Sequence, residues 1–77
     1  MARVAASVDL REIGKRIRAL RGNLRQEELA NELGISQGQL SKIERGMIAP
    51  TLDVLARLGA RFPRSIDWIV CGRIYHR

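Results

Sequence analysis

A chain of 77 residues has room for one domain and one core, and its single cysteine, Cys71, excludes an internal disulfide, so the fold must rest on packed apolar surface. Lys and Arg number 14 against 8 acids, a net charge of +6, and every cation but Lys15 and Lys42 is arginine; this balance favours a polyanionic partner, simple solubility being the plainer alternative. Phe62, Trp68 and Tyr75 are the only aromatic residues, too few for a single-strand binder that stacks bases on rings.

Residues 1–8 read as a flexible arm ahead of a domain over 9–72, and residues 73–77 as a short basic tail. Apolar residues recur at helical spacing and never alternate cleanly with polar ones, which predicts an all-α chain of five helices. The first starts at Asp9, which forms a capping box with Glu12. Leu10, Ile13, Ile17 and Leu20 make its apolar stripe and Gly22 its stop. The second covers about Gln26 to Leu33, with Leu29, Ala30 and Leu33 inward and Gly34 at its end. The link before it offers two caps, Arg25 or, one turn earlier, Asn23 with Gln26.

The third helix opens at Ser36, whose partner in a second capping box is Gln39. Leu40 and Ile43 are its inward pair, and Gly46 ends it. The fourth follows Pro50, with Thr51 as N-cap and Leu52, Leu55 and Leu58 expected inside. The fifth follows Pro63, with Ser65 as N-cap, Ile66, Ile69 and Val70 toward the core, and Gly72 closing it.

The stretch over 26–45, QEELANELGISQGQLSKIER, holds the functional signal. Small Ala30 lets two short helices approach, Gly34 turns the chain, and Ile35, Leu40 and Ile43 anchor the second helix on the first. Gln37, Gly38, Ser41 and Lys42 are left on the outward face, beginning at the helix N-terminus. Such a helix can enter the major groove with its first residues on base edges.

This stretch resembles the phage-repressor and Cro-like, or XRE-type, helix-turn-helix family. IGKRIRALR at 13–21, IERG at 43–46, PTLDVLA at 50–56 and SIDWI at 65–69 extend the resemblance to about residues 9–72. It implies a five-helix, lambda-repressor-like domain that binds double-stranded DNA in a bacterial or phage transcriptional regulator, most simply a repressor, with residues 36–45 as recognition helix. It further implies that Gln37, Gly38, Ser41 and Lys42 face bases. A glutamine at position 37 can pair with adenine through two hydrogen bonds, and Lys42 suits a guanine or a phosphate. Gln26 and Arg45 match phosphate-contacting positions, and Arg25 and Ser36 beside the helix starts are grouped with them. Arg21 and Glu44 match a partly buried ion pair. Gly38 either admits a close backbone approach to DNA or simply reduces the base-reading surface.

An enzyme is not expected: the chain has no phosphate-binding glycine loop, no His–Cys cluster and no nucleophile–base pair. No cofactor or metal is expected either, His76 standing alone in the tail. Without an apolar run long enough for a membrane span or a secretory signal, the expectation is a cytoplasmic protein. Trp68, Ile74 and Tyr75 are assigned to a homodimer surface at the C-terminal end. The competing reading is a helical protein-interaction module, antitoxin-like, with DNA binding secondary.

Overall fold

The orphan N–H groups at a helix start need acceptors, and the starts in this chain differ in whether a side chain supplies one. The computed structural model describes residues 8–63 and 65–72, and so most of the arm and all of the tail, with Ile74, Tyr75 and His76, lie outside the described residues. The described chain forms α1 (Leu10–Arg21), α2 (Gln26–Leu33), α3 (Gln37–Glu44), α4 (Leu52–Arg61) and α5 (Ile66–Cys71), with no strand among the described residues.

The Asp9 carboxylate accepts the N–H groups of Arg11 and Glu12 at 3.0 and 3.3 Å. The expected reciprocal bond from Glu12 is replaced by an ion pair with Lys15 at 3.3 Å, because a side chain one turn on competes for the same carboxylate. At α3 both halves of the capping box form: Gln39 N–H donates to Ser36 Oγ at 3.1 Å, and Ser36 N–H to Gln39 Oε1 at 3.0 Å. Thr51 Oγ1 accepts Val54 N–H at 3.1 Å at the start of α4.

Of the two caps left open for α2, the structure selects Arg25. Its N–H donates to the Glu28 carboxylate at 2.9 Å, and Asn23 takes no part. The short link works because it closes on itself. Leu24 N–H donates to Arg21 O at 2.9 Å, and the Arg21 guanidinium donates to Leu24 O at 3.0 Å.

The core is built from Ile13 and Ile17 of α1, Leu29, Ala30 and Leu33 of α2, Leu40 and Ile43 of α3, Val54 and Leu58 of α4, and Ile69 of α5. One expectation fails in α4. Leu52 is 84% exposed, while Val54 is buried. At about 100° per residue Leu52 lies roughly 160° around the helix from Val54, so a stripe centred on Val54 and Leu58 must turn Leu52 outward.

The fifth helix departs further. Ser65 precedes it in a right-handed helical conformation, and its hydroxyl makes no cap. That hydroxyl is buried without a hydrogen-bond partner. Ile66 is turned outward rather than inward, Val70 is half-buried, and Trp68 packs partly against the core. The other end of α5 is held from α1, where the Arg16 guanidinium donates to Ile69 O at 3.1 Å. This tie meets carbonyls that a short helix leaves unpaired.

A hydroxyl desolvated without a partner costs stability, whereas a working cap contributes it. Ser65→Ala should therefore leave the unfolding free energy unchanged or raise it by up to about 1 kcal/mol. Thr51→Ala, by contrast, should lower it by about 1 kcal/mol. Urea titrations of the two variants give the comparison, and a loss at Ser65 equal to that at Thr51 would contradict this account.

Candidate nucleic-acid interface

The turn between α2 and α3 is made where Gly34 adopts a left-handed conformation, φ 73° and ψ 26°. A Cβ disfavours that region by about 1–2 kcal/mol, so glycine is the economical choice. Ile35 N–H then donates to Ala30 O at 3.0 Å. Ala30 is buried between the helices, and α3 buries Leu40 and Ile43 against the rest of the domain. Gln37, Gly38 and Lys42 are exposed on the opposite face and Ser41 is half-exposed. A Cβ on Gly38 would come no closer than 3.9 Å to Ser36 Oγ, so the fold itself does not require a glycine there.

Behind this face lies a polar network. The Arg21 guanidinium grips the Glu44 carboxylate through two bonds, Nε to Oε2 at 2.8 Å and Nη2 to Oε1 at 3.0 Å. The Glu44 side chain is only 4% exposed and that of Arg21 16%. Gln26 Nε2 donates to Glu44 Oε1 at 3.0 Å, and Gln37 Nε2 donates to Gln26 Oε1 at 3.4 Å. One chain of hydrogen bonds thus runs from α1 through the end of α3 to the start of α2, and back to the first residue of α3. The Gln26 side chain serves this network and not a helix cap.

The remaining candidates are arranged around the rim. Arg25, Ser36 and Arg45 are exposed beside the helix ends. The Ser36 hydroxyl is engaged with Gln39 in the cap, and Arg45 Nε donates to Ser41 O at 3.4 Å. Among the described residues, Arg25, Lys42 and Arg45 meet no carboxylate within 4.0 Å, whereas Arg57 and Arg61 on α4 pair with Asp53 and Glu32. The uncompensated positive charge here flanks the outward face of α3, the arrangement suited to a polyanion. Among the described residues, no group of three or more His, Cys, Asp or Glu side chains could hold a metal ion.

Sequence reasoning missed two features. Gly14 lies under the C-terminal end of α3, and a glycine on the apolar stripe of α1 was the available signal. Met47 and Leu52, 57% and 84% exposed, leave open apolar surface just after the recognition helix; a run of hydrophobic residues around Pro50 carries no sign of which way they face.

A helix-turn-helix family profile matches residues 15–69. The chain belongs to the phage-repressor, XRE-type helix-turn-helix family. Among solved structures it is similar to the P22 c2 repressor protein in complex with synthetic operator 9T in the presence of Tl+, at 33% identity and a TM-score of 0.71. That match covers 79% of this chain and 96% of the other. No curated protein sequence matches. In this helix-turn-helix domain the hydrogen-bonded network lies directly behind the outward face of α3. No helix of the described residues is long and apolar enough to cross a membrane.

Removing one partner of a buried ion pair strands the other charge, so Arg21→Ala or Glu44→Ala should each cost on the order of 3 kcal/mol of stability. Removing both should recover part of that loss, because no charge is left stranded. Single effects that simply add in a double-mutant cycle would show that the pair is not coupled.

Proposed function

We infer that the chain is a sequence-specific double-stranded DNA-binding transcriptional regulator, acting as a repressor, with α3 in the major groove. The observation that carries this reading is the polarity of α3: one face buried through Leu40 and Ile43, the other open at Gln37, Gly38, Ser41 and Lys42 and flanked by Arg25 and Arg45. The similar P22 c2 repressor, seen in complex with a synthetic operator, supports DNA as the partner.

Gln37 presents its carboxamide to an adenine edge, held in register by Gln26. Ser41 and Lys42 meet the bases that follow, and Gly38 leaves the groove open between them. Arg25, Arg45 and Ser36 take phosphates, together with the first N–H groups of α2 at Gln26, where no side chain caps the helix. An interaction module alone would have no use for this arrangement of polar readers backed by a buried network. Catalysis is no part of this reading.

A duplex selected from a random pool provides the test. Gln37→Ala should lose about 1–3 kcal/mol of affinity on that duplex and almost none on random DNA. Affinity of the unaltered protein should fall steeply between low and physiological salt, as counterion release requires. Equal losses on both DNAs, or a flat salt response, would remove Gln37 or the phosphate contacts from the account.

A single α3 reads only a few base pairs, which favours a homodimer with two recognition helices roughly 34 Å apart. Trp68 remains a candidate for its surface, with Ile74 and Tyr75 outside the described residues. A second site is favoured by exposure: Met47 and Ile48 lie between α3 and α4, and Leu52, the first residue of α4, is the most open large apolar side chain among the described residues. A two-fold contact there would fix the spacing of the two helices without an intervening element. Sedimentation on a palindromic duplex should show two copies for the unaltered chain. Leu52→Glu should reduce this to one copy with folding intact; two copies with that variant would return the interface to Trp68.

A further inference from the structure

We propose that Gly14 is a positioning residue for base reading: by admitting the last carbonyls of α3 against the backbone of α1, it sets the tilt of the recognition helix. The proposal rests on the DNA-binding reading above.

Glycine is the weakest helix former after proline, and Gly14 sits inside α1, buried between Ile13 and Ile17. A Cβ there would lie 2.5 Å from the Ile43 carbonyl oxygen, 2.7 Å from the Glu44 carbonyl carbon, and nearer still to the Glu44 carbonyl oxygen. These are backbone atoms and have no rotamer by which to move aside. One turn earlier on α1 the same closeness recurs from the other partner: a Cβ on Gly46 would lie 2.8 Å from Arg11 Cα. Residues 43–46 thus rest backbone to backbone on α1. Gly59 offers a contrast, since a Cβ there would meet only the Ile66 side chain, at 2.9 Å, and a side chain can yield.

The two ends of α3 therefore have different supports. Its N-terminus is tied to α2 by the Gly34 turn and closed by the Ser36–Gln39 box, and its C-terminus is seated on α1. A methyl group at Gly14 needs about 1 Å more room, which over an eight-residue helix of about 12 Å is a rotation of about 5° around the N-terminal end. Gln37 lies at the pivot. Ser41, Lys42 and Arg45 lie along the moving arm, where hydrogen bonds confined to about 2.7–3.2 Å tolerate little displacement.

The test compares Gly14→Ala with Gly59→Ala in the same 77-residue chain, the latter a packing control on α4 against α5, below the unfolding temperature of both. Gly14→Ala should keep its helical circular dichroism and lose about tenfold or more in affinity for the selected duplex. Binding to random DNA should stay within about twofold, because phosphate contacts dominate it. Its effect should multiply with that of Gln37→Ala and fail to multiply with that of Lys42→Ala. The amides of Arg45 and Met47, bonded to Ser41 O and Lys42 O at 3.0 and 2.8 Å, should exchange faster, while that of Leu40 does not. Gly59→Ala should leave the selected-to-random ratio unchanged. An unchanged ratio in Gly14→Ala, the same loss in both variants, or a Gly14→Ala protein that stays unfolded even with excess duplex would overturn the proposal. If the unaltered protein selects no duplex at all, it is the DNA-binding reading that fails.

Discussion

The seating of the C-terminal end of α3 depends on how the Glu44 carboxylate is held. A carboxylate this deeply buried is tolerable only if its charge is paired and its oxygens are hydrogen-bonded. Arg21 supplies the charge and two of the bonds, and Gln26 supplies a third. These partners come from α1 and from the first turn of α2. Meeting both partners constrains the rotation and register of α3. The pair acts as a register device as much as a source of stability: apolar packing of Leu40 and Ile43 would tolerate small slips that the ion pair does not.

The same constraint explains why the face is polar yet ordered. Gln37 is exposed, and a free glutamine would sample many rotamers. Its amide is bonded to Gln26, which is itself bonded to Glu44. Part of the entropy of fixing this exposed side chain is thus lost on folding. Arg21 also closes the short link after α1 through Leu24 O, so one guanidinium joins the geometry of that link to the geometry of the face.

Support from outside the motif is unequal. The α1 and α2 helices hold α3 from two sides, while α4 and α5 complete the core beneath α2 and α1. The Ser65 hydroxyl is buried without a partner and Ile66 is exposed, so α5 depends on Ile69 within the core, on Trp68 and Val70 packed against it, and on Arg16 at its C-terminus.

Much of this was legible in the amino-acid order because it depends on local chemistry. The five helices, the caps at Ser36 and Thr51 and the turn at Gly34 follow from spacing, hydroxyl acceptors and a left-handed residue, none of which needs a distant partner. The outward face of α3 followed once Leu40 and Ile43 were assigned inward. Tertiary structure decided what depends on how helices meet. Leu52 turned outward because the stripe of α4 is centred on Val54 and Leu58, a choice its four large apolar residues leave open. Gln26 became a bridge to Glu44 because the folded chain brings residues 18 positions apart into contact. The sequence marks Gly14 only as an unfavourable residue inside a helix; its use is evident when the carbonyls of Ile43 and Glu44 come to rest where its side chain would have been.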